Sequence, residues 1–68
     1  MPKPLLKKFG NNVKNLRLKK GISQEALGLD AGISGSFVGM IERAEKDISL
    51  TKVYKIAQAL EVNIKELF

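Results

Sequence analysis

A chain of 68 residues builds one small domain with a marginal hydrophobic core, and the lack of cysteine and histidine excludes disulfides, thiolate or imidazole metal sites and Cys- or His-based nucleophilic catalysis. No apolar run approaches the ~20 residues that span a bilayer, and Met1-Pro2-Lys3-Pro4 leads into Lys-rich sequence rather than a signal peptide, so a reducing, cytoplasmic setting is expected. The net charge of +5 is uneven: residues 1–20 hold seven basic side chains and no acid, whereas the rest hold five basic and seven acidic ones, an asymmetry that points to a polyanionic partner.

Residues 1–4 read as a flexible lead. Between Leu5 and Lys20, Phe9, Val13 and Leu16 fall at i, i+4 and i+7, one apolar face of a first helix ringed by lysines. Gly10 and the Asn11-Asn12 pair lower its propensity near the start, and Gly21 ends it. Ser23 is suited to cap a second helix, with Glu25 near the positive end of its dipole. That helix runs to about Asp30, carries Ala26, Leu27 and Ala31 on its apolar side, and is followed by a short turn at Gly32. Ser34 caps a third helix with Phe37, Val38 and Ile41 inward and Gly35, Ser36, Met40 and Arg43 on other sides. Arg43-Ala44-Glu45-Lys46-Asp47 reads as a loop, and Ser49 caps a fourth helix whose Leu50, Val53, Ile56, Ala57 and Leu60 repeat at three or four. Asn63 heads a short fifth helix bearing Ile64, Leu67 and Phe68. With no strand signal, the expectation is a single all-α, compact five-helix domain over residues 1–68.

The segment from Ser23 to Glu42 has what two steeply crossing helices require. Leu27 is followed by the small Gly28 at the point of close approach, Gly32 makes the turn, Ile33 fills the space beneath it, and Val38 and Ile41 bury the inner face of the second helix. In Arg17, Ser23-Gln24-Glu25, Leu27, Gly32-Ile33-Ser34, Ile41-Glu42-Arg43, Ser49-Leu50 and Ala59-Leu60 the chain resembles the Cro/repressor (Xre-type) helix-turn-helix family, over roughly residues 9–68. Phe9-Gly10, Ser23-Gln24-Glu25, Ile41-Glu42-Arg43, Ile48-Ser49-Leu50 and Leu67-Phe68 make it most similar to restriction–modification controller proteins. The resemblance implies a lambda-repressor-like fold with the helix-turn-helix formed by the second and third helices. It also implies a transcriptional regulator that binds a palindromic double-stranded DNA operator as a homodimer, with the third helix in the major groove. No enzymatic activity, cofactor, metal, membrane or small-molecule ligand is expected.

The family positions then suggest roles. Ser23 and Gln24 match phosphate contacts at a helix N-terminus, and Arg43 and Lys46 lie where a loop follows the backbone. Phe37 matches a backbone-facing position, although its size favours the core. Gly35, Ser36 and Met40 match base-reading positions; none offers a bidentate contact, so they read either as weak base contacts or as tolerated surface residues. Arg17 and Glu42 match a structural ion pair. Val62, Ile64, Leu67 and Phe68 either form the dimer interface or close the core. Ala44 stands where relatives often have glycine, so either it is strained or the loop takes another path. Two other functions remain: a protein-interaction module of the same fold, such as an antitoxin, which the weak base-reading set keeps open, and a basic membrane-surface helix at residues 5–16.

Overall fold

The computed structural model describes residues 1–68 and consists of α1 (Lys3–Lys20), α2 (Gln24–Ala31), α3 (Gly35–Glu42) and α4 (Leu50–Leu60), followed by a 3-10 helix, Ile64–Leu67. Serine hydroxyls start three of the helices: Ser23, Ser34 and Ser49 accept from the backbone N–H of Ala26, Phe37 and Lys52 at 3.0, 3.0 and 3.3 Å. The first helix begins two residues before the expected Leu5, with Pro2 as its N-cap and Pro4 in its first turn, where a missing N–H removes no helical bond. Lys3 and Pro4, read as part of a flexible lead, are therefore helical, and Lys3 Nζ donates to Ala44 O at 3.2 Å.

The expected fifth helix is a correction: it is one turn of 3-10 geometry, Ile64–Leu67. Glu66 N–H donates to Asn63 O at 3.0 Å and Phe68 N–H to Lys65 O at 3.3 Å, and the tight pitch sets Leu67 in the core with Phe68 stacked on Phe9, ring centroids 5.1 Å apart. Leu67 is fully buried in its own domain and so has no surface for a partner, while Val62, Ile64 and Phe68 stay half-buried.

Phe9 and Val13 of α1, Leu27 and Ala31 of α2, Val38 and Ile41 of α3, and Val53, Ile56, Ala57 and Leu60 of α4 form one core with Leu67. The apolar face of α1 is therefore occupied: Leu6, Phe9 and Val13 are buried inside the domain, which removes the membrane-surface reading of this helix. No helix is long and apolar enough to cross a membrane.

Ala44 resolves the choice left open at the end of the third helix. It takes φ 58° while buried, and its N–H donates to Ile41 O at 3.0 Å while Glu45 N–H donates to Met40 O at 2.8 Å. That bond pair closes a helix through a left-handed residue, at a strain of roughly 1–2 kcal/mol for a side chain with a Cβ. Glu61 (φ 59°) ends α4 in the same way. Lys20 donates to the Glu61 carboxylate, and this hydrogen bond holds the Glu61 pKa below the ordinary glutamate value. A depressed carboxylate pKa stabilises the fold above the unfolded-state pKa, and the contribution is lost as pH falls through the folded-state value. An NMR titration should place the Glu61 midpoint below that of a free glutamate and return it there in Lys20→Met; equal midpoints in the two proteins would show that the contact is not held in solution.

Candidate nucleic-acid interface

The N-terminal turns of α2 and α3 converge. Gly32 (φ 74°) turns the chain between them, and the two helices meet at backbone distance: a Cβ on Gly28 would lie 2.6 Å from Ile33 O, and one on Gly35 3.0 Å from both Cα and Cγ of Glu25. The bare side of Gly35 thus faces α2, so packing accounts for glycine there. Arg17, Ser23, Gln24, Glu25, Ser34, Gly35 and Ser36 line an open cleft with no hydrophobic residue in its wall. Unsatisfied backbone N–H groups at two helix starts favour an anion in this place, while Glu25 opposes one on its own side.

A buried carboxylate organises the cleft floor. Glu42 Oε2 accepts from Arg17 Nε at 2.7 Å, and Oε1 accepts from Arg17 Nη2 and Gln24 Nε2, each at 3.1 Å. Arg17 Nη1 donates to Ile22 O at 2.9 Å. The side chains of Arg17 and Glu42 are 10% and 3% exposed, so the pair is formed almost out of water. The hydrogen bond with Glu42 raises the Arg17 pKa further, against the opposing effect of burial. Arg17 and Glu42 thus tie α1 to α3, and the same carboxylate fixes the amide of Gln24 at the first turn of α2. One amide N–H is used by Glu42; the other N–H and Oε1 remain.

The outer face of α3 carries Ser36, Met40 and Arg43 at i, i+4 and i+7. Ser36 is exposed, Met40 half-buried, and Arg43 exposed, with its Nε 3.1 Å from Glu45 Oε2. Hydrogen bonding to Glu45 raises the Arg43 pKa. Lys46 is exposed in the loop. Phe37 packs partly against the core, and its other face lies under Lys52 Nζ, 4.7 Å from the ring centroid.

Three residues at this surface carried no signal in the sequence pattern. Lys52 looked like any solvated lysine of the fourth helix, Glu45 like one member of a mixed charge cluster, and Gly39 like a weak point in a helix. Only the cation–π spacing at Phe37 and the pairing of Glu45 with Arg43 distinguish the first two. Gly39 is set apart by what covers it: a Cβ there would lie 3.0 Å from Arg43 Nη1 and 3.3 and 3.4 Å from Gln24 Oε1 and Nε2. No group of three or more carboxylates or imidazoles lies together as a metal site would require.

Comparison with known proteins gives one family and a consistent set of relatives. The Helix-turn-helix family model HTH_3 matches residues 13–67. The chain is similar to control protein C.BamHI of Bacillus amyloliquefaciens, 37% identical over 60 residues that make up 87% of this chain and 74% of that protein. It is 32% identical to control protein C.MunI of Mycoplasma sp over 90% of this chain and 84% of that one. Among solved structures it resembles the restriction-modification controller protein C.AhdI from Aeromonas hydrophila, with a TM-score of 0.90 and 43% identity over 93% of this chain and 96% of that chain.

Proposed function

Because the chain belongs to the HTH_3 helix-turn-helix family, we propose that it is a sequence-specific transcriptional regulator of double-stranded DNA, working in the cytoplasm as a restriction–modification controller. One observation carries the assignment to an interface. Gln24, held by Glu42 at the start of α2, lies against Gly39 of α3, one turn from the exposed Ser36, so a phosphate contact and a groove contact are offered by one rigid surface. The helix start receives the phosphate, with Ser23 and Gln24 as donors, while α3 enters the major groove. Ser36 and Met40 face the bases, and Lys46 and Lys52 add positive charge along the backbone. Carboxylates here serve structure: Glu42 anchors Arg17 and Gln24, and Glu45 pairs with Arg43, so the reading makes the chain a binding protein and not an enzyme.

The operator is an inverted repeat bound by a homodimer, because one copy presents a single recognition helix. Val62, Ile64 and Phe68, half-buried around the 3-10 helix, supply apolar surface for the second copy. Selection of bound duplexes from a random pool should enrich an inverted repeat with half-sites centred about 34–36 Å apart, one helical turn. Affinity for it should fall steeply with salt, log K against log[salt] having a slope of about −0.9 for each phosphate neutralised. A pool that enriches no motif, with binding equal for every duplex, would defeat this reading and favour a protein-interaction module instead.

A further inference from the structure

On the outer face of α3 only one side chain can grip a base edge at two points. Ser36 offers one hydroxyl and Met40 offers no strong donor. Arg43 folds back along the helix over the bare position 39, where its Nη1 and the Gln24 amide occupy the space that a Cβ and its substituents would take. Glu45 Oε2 lies 3.1 Å from Nε, so the carboxylate engages the Nε edge, and the Nη1 and Nη2 fork has to lift off position 39 to meet a base. The charge of this pair separates two roles for Arg43. As a phosphate anchor it is a poor arrangement, because Glu45, 54% exposed, offsets the positive charge and repels a backbone phosphate. A base edge carries no net charge, so the paired guanidinium keeps its full value there as a two-pronged donor.

We propose that Arg43, oriented by Glu45 and laid across Gly39, is the specificity-determining residue of this surface, donating two hydrogen bonds to N7 and O6 of a guanine in each half-site. The sequence pattern had grouped Arg43 with the phosphate anchors; the proposal moves it to the bases and rests on the DNA-binding function above. It also accounts for a recognition helix whose other outward residues discriminate so little. Glycine at 39 lets the guanidinium lie close against the helix instead of standing off it.

The test is equilibrium binding of the wild type, Arg43→Ala and Arg43→Lys to the selected operator and to a panel carrying each single base-pair change in both half-sites, at two salt concentrations. The Arg43 side chain is 58% exposed, so both variants keep the fold. Changing one G·C pair should weaken the wild type on the order of 10- to 100-fold, whereas both variants should bind the original and changed duplexes alike and keep the wild-type preferences elsewhere. Lysine fails with alanine because an ammonium is not a planar fork. The proposal is overturned if Arg43→Ala weakens every duplex equally, with a salt slope lower by about one per subunit and recovery in Arg43→Lys, the behaviour of a phosphate contact. Unchanged base preferences in Arg43→Ala overturn it as well. A wild type that prefers no duplex at all removes the operator-binding function itself, and this proposal with it.

Discussion

Arg17→Ala should destabilise the domain by about 3–5 kcal/mol, because it leaves the Glu42 carboxylate buried without its cation. Glu42 is 3% exposed at the side chain and would keep only the hydrogen bond from Gln24, while Ile22 O would lose the donor at 2.9 Å. A domain of this length has a total stability of only roughly 3–10 kcal/mol, at the usual 0.05–0.15 kcal/mol per residue. The substitution therefore removes a large part of what holds the fold. For a domain this small each kcal/mol moves Tm by about 4–8 °C, so a fall of at least roughly 12 °C is expected in a thermal melt followed by circular dichroism. A melt within 3 °C of the wild type, on the order of half a kcal/mol, would mean that the pair is exposed in solution or that water replaces it. Arg17→Met combined with Glu42→Leu is the informative companion, since replacing both charges by apolar groups of similar size removes the stranded carboxylate and should recover most of the loss.

Gly10→Ala should be the other severely damaging change, against the sign that helix propensity gives. In the middle of an isolated helix, alanine is better than glycine by about 1 kcal/mol. Here a Cβ at position 10 would lie 2.4 Å from Ile41 O and 2.9 Å from Glu42 O, both backbone atoms at the end of α3. Neither can rotate away, so α1 must shift from α3. Forcing atoms into a packed contact typically costs 1–3 kcal/mol and sometimes more; with backbone atoms struck this closely the cost falls at the upper end, and after the gain of about 1 kcal/mol in helix propensity a net loss of about 2 kcal/mol is expected. Because Glu42 is one of the residues struck, the shift also pulls on the Arg17–Glu42 contacts across the same helix pair. Urea unfolding should show a lower midpoint with an unchanged m-value. A midpoint equal to or above that of the wild type would contradict the close crossing of α1 and α3.

The identity of the glycine at position 10 was visible in the sequence; its purpose was not. Read locally, Gly10 is only a weak residue near the start of a helix, whereas the structure makes it the crossing point that brings Arg17 to Glu42. The same split runs through the recognition surface. Ser23, Ser34 and Ser49 declare helix starts by themselves, because an N-cap is satisfied within three residues of chain. The helix-turn-helix spacing from Leu27 to Ile41 is legible for the same reason: the turn at Gly32 and the apolar period are local properties. The end of the third helix was not, since Ala44 takes a left-handed conformation that its own chemistry disfavours and that the surrounding contacts impose. Nor was the 3-10 turn, whose pitch follows from seating Leu67 in a core built by distant segments.

By itself the sequence determined the all-helical pattern, the four long helices with the starts of the last three, and the two crossing helices of the DNA-binding unit, because these follow from short-range hydrogen bonding and from the 3.6-residue period of apolar side chains. Tertiary structure alone decided which polar groups meet. It set Gln24 on Glu42, Lys52 over Phe37, and Arg43 across Gly39 beside Glu45, in each case through the relative placement of helices or the path a long side chain takes over a neighbour. Such contacts depend on where the helices cross, and a crossing point is fixed by packing against other segments rather than by anything a segment carries alone.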